Sequence, residues 1–183
     1  KEWAEGFFRQ RDWDRNEVIA LHPGAGSRKK VWPPERFAAL GRALTRKGGS
    51  RSILIIQGPA DAEAVEGVIA GLEGVPYQVA RDMPIIKLAA LVSRAGLFIG
   101  NDSGISHLAA ALEVPTLALF GPTDPQCWAP RGERASWLQG KVPCAPCDRD
   151  TYQSCPKQRC LEAIEKEAVL AHIAEKLLPL YKG

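Results

Sequence analysis

Two stretches of the chain carry residue types suited to holding an anion. The first is Asn101-Asp102-Ser103-Gly104-Ile105-Ser106-His107, which follows the apolar run Leu97-Phe98-Ile99 and precedes Leu108-Ala109-Ala110-Ala111-Leu112. A short buried strand there breaks sharply into a helix. A helix start offers unpaired backbone N–H groups and a partial positive charge to a phosphate, and Ser103 and Gly104 let the anion come close. His107 follows Ser103 by four residues and so falls on the same helical face, one turn further in. Asp102, acceptor-only when ionised, suits hydrogen bonds from sugar hydroxyls; Asp102 or Ser103 can equally serve as a helix cap. The second stretch is His22-Pro23-Gly24-Ala25-Gly26-Ser27-Arg28-Lys29-Lys30, after the apolar Val18-Ile19-Ala20-Leu21. Gly24 and Gly26 suit a loop wrapped around phosphate oxygens, Ser27 adds a hydroxyl, and the three cations add charge. A basic run alone reads as a solvated loop; glycines, a hydroxyl and cations converging after a strand favour an anion site. The spacing matches neither G-x-G-x-x-G nor the G-K-[ST] ending of a P-loop.

The elements that must position these loops alternate. Pro at the first helical position opens a helix with Phe37, Ala38, Leu40, Gly41 and Leu44 at helical spacing. Ser52-Ile53-Leu54-Ile55-Ile56 is strand-like. Ala62 to Leu72 is helix-compatible with Val65, Val68, Ile69 and Leu72 on one face. Tyr77-Gln78-Val79 is a short strand, Pro84 opens a helix whose Ile85, Leu88, Ala89 and Val92 share a face, and Leu97 to Gly100 feeds the first motif. Thr116-Leu117-Ala118-Leu119-Phe120 is read as the last strand. Five strands with helices between them predict an α/β fold with a doubly wound parallel sheet, where ligands bind beyond the carboxyl ends of the strands. Both motif loops fall there.

Composition narrows the class without naming a chemistry. At 183 residues and 45% hydrophobic content the chain can bury one complete core. The net charge of +3 is too mild to argue for nucleic acid, and no aromatic residues interleave with the basic run. No segment reaches the ~18 apolar residues needed to span a bilayer, and no signal peptide is visible. From those two absences a cytoplasmic location is expected, and the start at Lys1 rather than methionine reads as that of a fragment.

Together the motifs resemble glycosyltransferase family 9, the ADP-heptose:lipopolysaccharide heptosyltransferases, over roughly residues 18 to 165 and only in that family's C-terminal half. The stretches that carry the likeness are His22-Pro23-Gly24-Ala25-Gly26-Ser27 with Lys30-Val31-Trp32-Pro33, Gly100-Asn101-Asp102-Ser103-Gly104 with His107-Leu108-Ala109-Ala110-Ala111, and Phe120-Gly121-Pro122-Thr123-Asp124-Pro125. The resemblance implies a Rossmann-like doubly wound parallel sheet forming the C-terminal half of a GT-B fold. It implies a nucleotide-sugar donor-binding domain over 18–183, with 1–17 as an interdomain linker or helix and a cysteine-containing segment at 141–161.

By the same resemblance Ser27 and Lys30 contact the donor diphosphate, with Lys30 the catalytic stabiliser of the leaving group. Met83 lies against adenine, although core filling accounts for it equally well. Asp102, Ser103, Gly104 and His107 complete the donor site. An acid that contacts ligand in some relatives corresponds to Asp61 or Glu63, with the alignment open between them. Lys30 and the helix start at Ser103 supply the electrostatics, so no cofactor or metal is expected. The implied donor is ADP-heptose or a related nucleotide sugar. The acceptor is a lipopolysaccharide core sugar reached through an N-terminal domain that also carries the general base, an aspartate, and the full-length protein is expected at the inner membrane face. A non-catalytic nucleotide-sugar binding module and a sugar-nucleotide epimerase domain are the alternatives; Gly121-Pro122-Thr123-Asp124 and Trp32-Pro33 speak against the epimerase.

Five cysteines stand apart from this reading. Cys144-x2-Cys147-x7-Cys155-x4-Cys160 has a seven-residue gap where zinc ribbons place roughly 15 to 20. Reduced thiols or an adventitious disulfide are expected there rather than a structural metal, and no catalytic cysteine.

Overall fold

In the computed structural model, which describes residues 2–14, 16–46 and 51–177, the central sheet has strand order β3-β2-β1-β4-β5-β6 with every pairing parallel. The strands are β1 (Val18–His22), β2 (Ser52–Gln57), β3 (Tyr77–Arg81), β4 (Leu97–Asn101), β5 (Thr116–Phe120) and β6 (Ala135–Gln139). The helices are α1 (Glu2–Arg9), α2 (Pro34–Arg46), α3 (Ala62–Ala70), α4 (Ile85–Val92), α5 (Gly104–Ala111), α6 (Pro125–Trp128), α7 (Arg149–Ser154), α8 (Arg159–Glu162) and α9 (Lys166–His172). A 3-10 turn at Arg28–Lys30 and a π-helical turn at Ile173–Leu177 complete them.

The central strands are buried along their whole length because both faces are covered. Their residues divide by the two-residue strand period. Ile19, Leu21, Ile53, Ile55, Ile99 and Leu117 pack on the side of α2 and α3, where Trp32, Phe37, Leu40, Val65 and Val68 meet them. Val18, Ala20, Leu54, Ile56 and Phe98 face the other way, against Phe8 of α1, Leu88, Leu91 and Val92 of α4, and Ala109 of α5. The C-terminal segment seals the first side. Trp32 is fully buried, sits edge-on to Phe37 at 4.9 Å, and donates its indole N–H to Ile164 O at 2.9 Å.

Two features depart from the sequence reading. The sheet has a sixth strand, β6, whose half-buried Ala-Ser-Trp-Leu-Gln lies at the edge and so lacks the continuous apolar run of a central strand. On α4 the buried face is Leu88, Leu91 and Val92, while Ile85 is 54% and Ile86 78% exposed. The cysteine-containing segment forms the short helices α7 and α8. Among the described residues, no helix is long and apolar enough to cross a membrane.

Candidate functional site

β1 and β4 are neighbours although two strands (β2, β3) and three helices (α2, α3, α4) lie between them in the chain, and this is the point where the strand order reverses. The loops that leave their carboxyl ends therefore meet. Asn101, fully buried at the end of β4, ties them together. Its amide donates to Pro23 O at 2.8 Å and Gly24 O at 3.2 Å, and its carbonyl oxygen accepts Trp32 N–H at 3.0 Å. Such a residue spans both loops with one side chain, a role the sequence reading had not given it.

The cations of the first loop go to three different partners. Lys30 Nζ lies 2.8 Å from Asp102 Oδ2. Lys29 Nζ donates to the carbonyls of Tyr152 at 2.5 Å and Gln153 at 2.8 Å, tying the loop to α7. Arg28 pairs with Glu63 at the surface, where both side chains are solvated and the pair contributes little. Ser27 caps the 3-10 turn by accepting Lys29 N–H at 3.3 Å, and it also accepts the Tyr152 hydroxyl at 2.8 Å. Tyr152 comes from the cysteine-containing segment, 125 residues away.

Around the second loop neither Asp102 nor Ser103 caps α5 with its side chain. The Asp102 carboxylate takes Lys30 and also the Thr123 hydroxyl at 2.6 Å. Gln139 of β6 holds the Thr123 loop by donating to Gly121 O at 3.1 Å and Thr123 O at 3.0 Å. Ser103 turns its hydroxyl to His22 Nδ1 at 3.1 Å, leaving its carbonyl to accept Ser106 N–H at 3.1 Å. His22 Nε2 in turn lies 3.2 Å from Asp61 Oδ2, and both residues are buried. The hydrogen bond from His22 first, then the Gly58 N–H, hold the Asp61 carboxyl below its usual range against the opposing cost of burial. Gly24 is a glycine for a steric reason: a Cβ there would run into the Asp61 carboxyl group.

A cleft of about 490 Å³ opens beside this chain of contacts, lined by His22, Gly26, Asp61, Met83, Ser103 and Gly104 among others. It thus brings Met83 to the same edge as the α5 start, and of the two acids left open by the sequence it is Asp61 that is buried there. Ser27, Lys30 and Asp102 stand next to it on the same two loops. His107 is exposed on α5, one turn beyond Ser103.

Cys144, Cys147, Cys155 and Cys160 line one separate cleft of about 420 Å³, bordered by Lys29 and Tyr152. All are free thiols. Burial first, then neighbouring thiols, pushes the Cys147 thiol up, and burial does the same at Cys160, which disfavours the reactive thiolate. Cys155 turns its S–H to Lys157 O at 2.7 Å. Among the described residues no group of three or more His, Cys, Asp or Glu side chains is placed to hold a metal ion.

A family model for glycosyltransferase family 9 (heptosyltransferase) matches residues 4–157. The chain is 34% identical to the lipopolysaccharide heptosyltransferase 1 of Pseudomonas aeruginosa over 168 residues, covering 86% of this chain and 46% of that protein. It superposes on the crystal structure of a family 9 glycosyl transferase from Veillonella parvula with a TM-score of 0.84 and 28% identity, over 98% of this chain and 52% of that one. The E. coli heptosyltransferase WaaC with ADP has the same fold at a TM-score of 0.70 and 24% identity, over 94% of this chain and 48% of that one. The chain spans about half the length of the relatives it matches.

Proposed function

The chain belongs to glycosyltransferase family 9, and we propose that it forms the donor-binding half of an inverting heptosyltransferase that uses ADP-heptose to build the inner core of lipopolysaccharide. The observation that carries this reading is the meeting of two loops at the reversal of strand order. There Lys30, Ser27 and the start of α5 converge beside a cleft that holds Met83. That is one cation, one hydroxyl and one helix start for a diphosphate, next to an apolar patch for a base. The heptosyltransferase names of the relatives, and the ADP bound to WaaC, support an ADP-linked heptose as the donor.

The chemistry asked of this chain is electrostatic. As an acceptor oxygen attacks the anomeric carbon, the bond from that carbon to the diphosphate breaks and its electron pair leaves with ADP. Negative charge grows on the phosphate oxygens, where the Lys30 ammonium and the backbone N–H groups of α5 stabilise it. Asp102 orients the sugar by accepting hydroxyl hydrogens on its carboxylate. The acceptor, and the base that takes its proton, belong to the other half of the GT-B arrangement. Calorimetry with this chain tests the reading: ADP binds more tightly than AMP, at about −4 to −6 kcal/mol because half the cleft is supplied elsewhere. Equal affinities remove the diphosphate site.

A further inference from the structure

The Asp61–His22–Ser103 chain of contacts has a property that depends on one hydrogen. Asp61 is held ionised by its bonds to His22 and Gly58 and can only accept, so His22 Nε2 carries a hydrogen. The state of Nδ1, 3.1 Å from Ser103 Oγ, then decides what Ser103 offers outward. On a neutral ring Nδ1 is a lone pair, Ser103 gives its hydrogen to it, and the hydroxyl presents only lone pairs to an incoming phosphate oxygen. On a protonated ring Nδ1–H donates to Ser103, whose own hydrogen is freed for the phosphate. The competing acceptor for that hydrogen is Ser106 Oγ at 3.5 Å, a long contact to an oxygen whose own hydrogen goes to Asn101 O at 2.6 Å.

We propose that His22 is a positioning residue that sets the direction of the Ser103 hydroxyl, so that an anion at the start of α5 binds together with one proton on His22. The proposal rests on the donor reading above, which identifies the anion as the diphosphate of a nucleotide. Asp61 faces His22 from the turn before α3, Asp82 lines the same cleft from the loop after β3, and Lys30 and Asp102 of the two loops hold each other. Ser103 touches the ligand; His22 and Asp61 act through it.

The experiment is calorimetry of ADP binding to this chain at pH 7.5 in buffers of differing ionisation enthalpy, which reads the protons exchanged per ADP bound. The wild-type chain takes up a substantial fraction of one proton, and its ADP affinity rises toward acid by up to about tenfold per pH unit, the limit for one linked proton. His22→Gln keeps a donor for Asp61 but has no titrating ring, and it loses the uptake and that pH dependence. Ser103→Ala leaves the His22–Asp61 pair intact and also loses the uptake, which keeps the test open should His22→Gln fail to fold. ADP binding with no proton exchange, or with the same uptake in both variants, overturns the relay while leaving the donor site standing. No ADP binding by the wild-type chain at millimolar concentration overturns both.

Discussion

Lys30 Nζ and Asp102 Oδ2 stand 2.8 Å apart, and the same carboxylate oxygen accepts the Thr123 hydroxyl at 2.6 Å. Cation and hydroxyl thus share one oxygen, which leaves the second oxygen of Asp102 open to a further hydrogen-bond donor. The arrangement also restrains Lys30: in the free chain its charge is partly spent on Asp102 rather than turned to a phosphate.

Substitution separates those two roles. Lys30→Ala removes a charge-assisted contact worth about 1.5–3 kcal/mol, so ADP affinity falls by roughly 10- to 100-fold. Asp102→Asn releases Lys30 and leaves ADP binding unchanged or tighter, because ADP carries no sugar hydroxyls of the transferred group for Asp102 to lose. Titration calorimetry of the two variants against ADP checks this. A loss of ADP binding in Asp102→Asn as large as that in Lys30→Ala contradicts it.

The reach of α7 into the first loop gives a second expectation. Ser27 Oγ accepts both Lys29 N–H and the Tyr152 hydroxyl, which fills its lone pairs and turns its own hydrogen outward. Tyr152→Phe removes one of these bonds while keeping the ring beside Lys29 Nζ, 5.2 Å from its centroid. ADP affinity drops by about 3- to 10-fold, equivalent to the ~0.5–1.5 kcal/mol net worth of a hydrogen bond, with an unchanged melting profile by circular dichroism. Full affinity in Tyr152→Phe means the segment does not organise the donor loop.

Much of this architecture is legible in sequence because β1, β2, β4 and β5 are buried on both faces and read as unbroken apolar runs, while glycine and hydroxyl residues mark the loops that follow β1 and β4. What stays hidden depends on contacts distant along the chain. His22 meets Asp61 and Ser103 at separations of 39 and 81 residues, and Tyr152 meets Ser27 at 125. Periodicity carries no information about such pairs. Helix α4 shows the opposite failure: its apolar residues surround the helix, so spacing alone could not say that Ile85 and Ile86 face solvent while Leu91 is buried.

The thiols differ in reactivity in a way that alkylation measures. Cys127 and Cys144 are exposed, whereas burial pushes Cys147 and Cys160 toward the neutral thiol, and Cys160 is the most buried of the five. Because the thiolate is the nucleophile, iodoacetamide at pH 7.5 modifies Cys127 and Cys144 first and Cys160 last, as followed by peptide mass spectrometry. Early modification of Cys160 shows instead that α8 opens from the sheet on the time scale of the reaction.

The last expectation concerns acid stability and isolates His172. Its ring is packed at the end of α9, with Nε2 3.0 Å from Ser136 Oγ on β6, and burial is the main cause that pushes it below the usual imidazole range. The folded chain then binds fewer protons than the unfolded chain over the interval between the two values, and stability rises with pH there. The contribution is complete above pH ~6.5, the ordinary imidazole value, and is lost as pH falls through the folded value. Asp61 acts with the same sign, but its window lies in the carboxylate range near pH 4 and below. Melting temperatures of the wild-type chain and His172→Gln between pH 8 and 5 resolve the two. Gln keeps a hydrogen-bond partner for Ser136 and cannot take up a proton, so the curves run parallel above pH ~6.5 and the wild type falls more steeply below it. Parallel curves throughout mean that the His172 ring accepts its proton without leaving its site.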